Sequence, residues 1–453
     1  MDNSKKTELE PEIGNNSKTD LVYGIEDNPP FGEALFAALQ HLLAIFVAII
    51  TPPLIIAGAL KLDAETTSFL VSMAILVSGI STFIQCRKVG PVGAKLLCIQ
   101  GTSFSFIGPI ISIGFAGGLP LIFGACISAA PVEMLVSRSF KYLKTIITPL
   151  VSGTVVILIG LCLIKVGLIS CAGGFDAKTD GSFASFQNLG VAALVFVSII
   201  LFNRSGNKYL RMCSIVLGIV IGYIVSYFLG MIDFSIWTNA DVKAIYIPMP
   251  FKYGIDFSLS SFIAVGIVYL ITAIEASGDV TANCMISGLP IKGKQYFKHI
   301  SGGVLADGVN SMIAGVFNSF PNSIFAQNNG MIQLTGVASR HVGYYIATML
   351  VILGLFPAVG IVFSMMPAAV LGGATLLMFG TVAAAGVRIV SSQNINRKAT
   401  LVLAVSLSLG LGVELVPDIL ANAPESIKSV FSSGITTGGL AAIISNIVIR
   451  IKE

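Results

Sequence analysis

The chain has 453 residues, 55% hydrophobic and only 11% charged, with a net charge of +4. Soluble domains carry roughly 25% charged residues, so a chain of this length and balance could not cover itself with polar groups; the composition excludes a soluble protein and predicts a polytopic membrane protein. The basic residues are dispersed between apolar segments, which speaks against a nucleic-acid partner and leaves the lipid bilayer as the expected surroundings.

Residues 1–30 are polar and of mixed charge, with no apolar h-region, and are expected to be a disordered cytoplasmic tail rather than a signal peptide. Fourteen candidate spans follow, at 34–58, 67–86, 93–115, 119–137, 145–168, 188–202, 211–230, 256–279, 300–319, 324–337, 342–363, 367–387, 399–415 and 430–449. The third is broken by Gln100-Gly-Thr-Ser103, and the tenth is too short and polar for a plain helix. With both termini inside, all but six of the 27 Lys and Arg residues fall on the inner side; the six are Lys61, Lys165, Lys178, Lys243, Lys252 and Lys428. The seven cysteines are scattered through apolar runs and read as small core residues, not disulfides or metal ligands.

Fourteen spans divide into a first seven-span repeat (31–230), a connecting loop (231–255) on the extracellular or periplasmic side, and a second seven-span repeat (256–450). An odd number per half forces opposite orientations, the arrangement of inverted-repeat transporters, whose site lies between discontinuous helices near the midplane. The third and tenth spans occupy the third place in each half, and both are interrupted.

The polar groups within the spans mark the candidate site. His41 stands alone in the first span, as a core residue or as a neutral imidazole that orients a carboxylate. Phe104, beside Ser103 and Ser105, offers a ring to a planar ligand. Glu133 is expected to pair with Arg138. Glu275 and Asp279 share one helical face with Asn283; the first reads as a ligand or proton site, the second as either that or a helix-end carboxylate near Lys292 and Lys294. Asp307, between glycines, is a proton-coupling candidate or a buried acid bonded to backbone. The tenth span sets Asn322, Gln327, Asn328 and Asn329 beside Gly330, amides tolerated at membrane depth only where they face a cavity, a ligand or protein.

Gln327-Asn-Asn-Gly-Met-Ile-Gln-Leu-Thr-Gly336 resembles the signature of the nucleobase–ascorbate transporter family. Leu39-Gln-His41, Ile99-Gln-Gly-Thr-Ser-Phe104, Glu275-Ala-Ser-Gly-Asp279 and Ala306-Asp-Gly308 resemble its first, third, eighth and ninth spans. The likeness covers about residues 20 to 450 and is strongest to bacterial xanthine permeases and their uric-acid-transporting relatives. It implies an all-α membrane fold of 7+7 inverted repeats, with a core domain (spans 1–4 and 8–11) and a gate domain (5–7 and 12–14), in a homodimer of the bacterial inner membrane. It implies no enzyme activity and no cofactor, with H+ as the coupling ion. Glu275 and Gln327 become the expected purine-binding pair, with Asn328, Ala326, Ser103 and Phe104 as the other substrate-binding residues. Asn328, Asp307, Asp279, His41 and Gln100 are expected to support affinity or coupling. Several xanthine-selective relatives have Asn where this chain has Ser103, which leaves room at C8 of the purine. Uptake of xanthine, or of xanthine and uric acid, is therefore expected. A uric-acid-selective, uracil or guanine symporter, and an anion exchanger or channel, are the alternatives.

Overall fold

A computed structural model describes residues 21–449 except 144–147, 175–176, 178–180, 208–209, 212, 233–244, 292, 392–393, 425–426 and 429–430. Residues 1–20 of the expected tail and residues 233–244 of the expected central loop thus lie outside the described residues. The helices are α1 (Phe31–Ala59), α2 (Ala64–Arg87), α3 (Ile107–Leu143), α4 (Pro149–Cys171), α5 (Phe186–Arg204), α6 (Ser214–Phe228), α7 (Leu259–Ile286), α8 (Lys294–Val316), α9 (Ala326–Thr335), α10 (Arg340–Leu355), α11 (Pro357–Ser364), α12 (Ala368–Ser391), α13 (Arg397–Leu415) and α14 (Gly434–Val448). Two short strands, β1 (Gln100–Thr102) and β2 (Asn322–Ile324), precede α3 and α9.

Each of the fourteen expected segments contains helix. Among the described residues, eight helices are long and apolar enough to cross a membrane. Two departures from the expected spans have local causes. The third and fourth spans run end to end in α3, hinged where Gly118 adopts φ 67° and ψ −164°, a conformation open to glycine. The eleventh span, expected unbroken over 342–363, bends by 82° between α10 and α11. Phe356 is extended there (φ −92°, ψ 109°), ahead of Pro357, which lacks a donor N–H and disfavours helix in the residue before it.

The packing repeats with an offset of seven spans. α2 lies against α10 as α8 lies against the fourth-span half of α3. α5 packs on α6 as α13 packs on α14, and α4 runs along α12. At the centre β1 and β2 pair antiparallel, with Gly101 opposite Ser323. Ser103 N–H donates to the Pro321 carbonyl at 2.9 Å, and Phe325 N–H to the Ile99 carbonyl at 2.9 Å. These are the same bond at the two ends of the pair, as a two-fold axis through it requires. A Cβ on Gly101 would lie 2.7 Å from the Phe325 ring, so this crossing needs glycine. α1–α3 and α7–α11 form one packed group, and α4–α6 and α12–α14 another; α7 reaches α4 and α14, and α1 reaches α6.

The expectation of disorder through residue 30 fails for residues 22–27. Their backbone bonds to the Gly336–Arg340 stretch, which supplies partners that a free tail would find only in water.

Candidate substrate-binding site

Both broken spans run from extended chain through a buried strand into a helix that starts near the middle of the bundle. On the first side Ser103 (φ −75°, ψ 132°) leads into the turn Phe104–Phe106 and then α3. On the second, Phe325 (φ −85°, ψ 114°) leads into α9 and provides no side-chain cap. Helix N-termini present unsatisfied N–H groups and a partial positive charge, so each junction suits a carbonyl or an anion. The strand pair sets these two helix starts on either side of one centre.

Glu275 is partly exposed on α7, whose neighbours in sequence are buried. Its Oε2 accepts from Ser105 Oγ at 3.2 Å, tying it to the turn of the third span. On α9, which packs against α7, Ala326 and Gly330 are exposed and Gln327 is half-buried. Gly330 has open space where a Cβ would stand. One face of α9 is thus small and open, with the Gln327 carboxamide at its start. Phe104 is buried and meets Phe379 of α12 edge-on, ring centroids 5.4 Å apart, so the expected ring-flanking residue touches the second helix group. Ser103 is buried, and its Oγ accepts from Ser105 N–H at 3.3 Å.

Behind this surface lie the supporting residues. Asn328 faces away from the open side, with Oδ1 2.8 Å from His41 Nδ1 and Nδ2 donating to the Leu97 carbonyl at 2.6 Å. His41 therefore orients an amide rather than a carboxylate, and its Nε2 has no partner among the described residues. Asp307 lies under the strands, fully buried. Its Oδ1 accepts from Gln85 Nε2 at 3.1 Å and from Gln100 Nε2, and its Oδ2 from Ser323 Oγ at 3.2 Å. Gln100 Oε1 in turn accepts from Asn310. Asp307 thus ties together α2, α8, β1 and β2. Asp279 is buried and makes no ion pair among the described residues; Lys292 lies outside them. Its main-chain carbonyl accepts from Asn329 Nδ2 at 3.2 Å, and Asn283 Nδ2 bonds Asn329 Oδ1 at 3.0 Å. The face shared by Glu275, Asp279 and Asn283 is therefore where the tenth span docks.

The expected Glu133–Arg138 pair does not form. Arg138 is exposed, whereas Glu133 is fully buried and accepts from Thr272 Oγ1 at 3.2 Å. Five residues apart on a helix, the two side chains lie well round from one another. Sequence reasoning also passed over Ser105, Gln85 and Phe379. Ser105 stood beside Phe104, named as its neighbour but given no role; Gln85 and Phe379 carried no signal beyond their types. The cysteines are free, and among the described residues no His, Cys, Asp and Glu group has the arrangement of a metal site.

The exposed chemistry is one carboxylate, one carboxamide and two helix starts. Together they can accept from ring N–H groups, donate to ring carbonyls and enclose a small planar molecule. The sequence profile of the Permease family Xan_ur_permease matches residues 32–419. Xanthine permease XanP of Escherichia coli strain K12 is 48% identical over 445 residues, covering 96% of each chain. Xanthine permease XanQ of the same strain is 48% identical over 444 residues, covering 96% of this chain and 95% of that one. Uric acid permease PucJ of Bacillus subtilis is 35% identical over 420 residues, covering 92% of each. Among solved structures, the transmembrane domain of the cyanobacterial bicarbonate transporter BicA matches with a TM-score of 0.54 at 15% identity, over 93% of this chain and 99% of that one. The murine solute carrier 26 member A9 anion transporter matches with a TM-score of 0.59 at 13% identity, over 94% of this chain and 69% of that one. At such identities the structures speak for the fold alone. The chain belongs to the Xan_ur_permease family, the nucleobase–ascorbate transporters, and is a multi-pass membrane permease rather than an enzyme.

Proposed function

We propose that the protein imports purine bases, xanthine first and uric acid with it, in symport with protons. The observation that carries this reading is the pairing of a partly exposed Glu275 with a half-buried Gln327 beside two helix starts, in a chain 48% identical to proteins named xanthine permeases. Gln327 can donate and accept along an amide-like purine edge, while an ionised Glu275 accepts from ring N–H groups. The small Ser103 favours dual xanthine and uric-acid selectivity. Asp307, Gln100, Asn328, His41 and Asp279 hold the broken helices rather than touch the purine. The group α1–α3 and α7–α11 acts as a core that carries the purine past a gate built from α4–α6 and α12–α14. The same reading places the protein in the bacterial inner membrane as a homodimer, with both termini cytoplasmic and residues 31–230 and 256–450 as the two repeats. Binding of labelled xanthine to the purified protein tests it. Displacement by unlabelled xanthine and uric acid but not by uracil supports the assignment, and equal displacement by uracil refutes it.

A further inference from the structure

Residues 21–27 lie across the end of α9 that points away from the site. Leu21, Tyr23 and Ile25 pack against the core while Val22 is exposed, and a turn closed by Asp27 N–H donating to the Gly24 carbonyl at 3.2 Å presents Glu26. The Gly336 carbonyl, just past the last turn of α9, accepts from Val22 N–H at 2.8 Å and Tyr23 N–H at 3.1 Å. In return Ala338 N–H donates to the Tyr23 carbonyl at 2.9 Å and Arg340 N–H to the Ile25 carbonyl at 3.0 Å. Glu26 divides its carboxylate: Oε1 meets Lys95 Nζ at 2.7 Å, and Oε2 meets Arg340 Nε at 2.9 Å and Nη2 at 2.7 Å. Lys95 stands two residues before Leu97, whose carbonyl accepts from both Asn328 and Asn283. Arg340 opens α10 directly after α9.

We propose that residues 22–27 are a positioning strap for the purine site, in which Glu26 ties the approach to β1 to the exit from α9. The strap takes up carbonyl capacity at the C-terminal end of α9 and fixes the helix along its axis, so it sets where Gln327 and Asn328 stand at the other end. An isolated exposed ion pair does little. Here, however, the Arg340 side chain is only 12% exposed, and one carboxylate joins two cations and a strand of backbone bonds. The Arg340 guanidinium, then the Lys95 ammonium, hold the Glu26 carboxyl down at about 2. A depressed acid contributes its full stabilisation above the ordinary carboxylate range and loses it only as pH falls towards the depressed value. The strap is therefore constant across neutral pH and is a brace, not a pH switch.

This inference rests on the site assignment above, and the test separates the two. Glu26→Ala, Arg340→Ala and the double variant are made in the full chain, and uptake of labelled xanthine is measured against the amount of protein in the membrane. A small misplacement of binding groups is enough for KM to rise roughly 3- to 10-fold with Vmax per transporter retained. Glu26→Ala removes both ion pairs, whereas Arg340→Ala removes one together with its bond to Tyr344, so the double variant should lose less than the two single losses combined. Hydrogen exchange across residues 326–340 of the purified protein should quicken in Glu26→Ala, whatever substrate is carried. Unchanged KM and exchange, or a loss that only follows protein abundance, overturns the strap. A wild type that fails to take up xanthine overturns the substrate reading, and exchange alone then decides the strap.

Discussion

Asp307→Asn separates holding the fold from moving a proton. The Asn carboxamide oxygen can occupy the place of Oδ1 and keep the bonds from Gln85, at 3.1 Å, and from Gln100. Its NH2 then faces the Ser323 hydroxyl, 3.2 Å away, which turns from donor to acceptor. The buried Ser323 O–H loses its acceptor in that exchange, so the variant should cost about 1–3 kcal/mol, the penalty of one displaced donor. Asp307→Ala instead strands two glutamine amides, at about 1–3 kcal/mol each, and should lower the amount of folded protein. What Asn does remove is the capacity to take and release a proton. One proton moved with a neutral purine adds about 2.3 kcal/mol per 100 mV, or roughly 50-fold of accumulation. The assay is purine accumulation in vesicles under an imposed proton gradient, set beside equilibrium exchange in the same vesicles. Accumulation should collapse while the KM of exchange shifts by less than about tenfold, or 1.4 kcal/mol, because Asp307 is fully buried behind the site. Wild-type accumulation by the Asn variant, or loss of binding as complete as that of Glu275→Gln, refutes the reasoning.

Glu275→Gln keeps the side chain's shape and can still accept from Ser105, so it should reach the membrane normally. Losing charge-assisted bonds worth about 1.5–3 kcal/mol should raise the KM of labelled-purine uptake by at least about tenfold. Normal transport by a well-expressed variant would show that this carboxylate does not bind the purine. Ser103→Asn should fold, since Asn can also cap the Ser105 N–H, and should fill space beside the ring that the C8 oxygen of uric acid would need. Weaker inhibition of xanthine uptake by uric acid is expected; unchanged or stronger inhibition dissociates Ser103 from selectivity. Proton symport further predicts faster uptake as the outside medium is acidified, and a flat pH profile argues against it.

The helical segments were legible because hydrocarbon thickness sets a length that apolar runs must meet. The paired breaks at Gln100 and Gln327 were legible because amides at that depth demand partners. The bend at Phe356-Pro357 was not separated from an ordinary span, since proline within membrane helices is often accommodated without breaking them. Glu133 was misassigned to Arg138 on nearness in sequence, when its partner Thr272 comes from a helix more than a hundred residues away. The strap escaped because Leu21-Val-Tyr-Gly-Ile25 is too short an alternation to stand out beside a polar tail. Gln85 was overlooked because a side chain that bonds Asp307, the Gly303 carbonyl and the Ala94 N–H is identified by fold, not by composition.

Initial uptake of labelled xanthine into cells without purine permeases of their own, with and without an uncoupler, tests the central claim most directly. The account predicts saturable uptake that unlabelled xanthine and uric acid inhibit, that uracil leaves intact and that the uncoupler stops. Uptake that persists under the uncoupler, or that uracil inhibits as well as xanthine does, would contradict it.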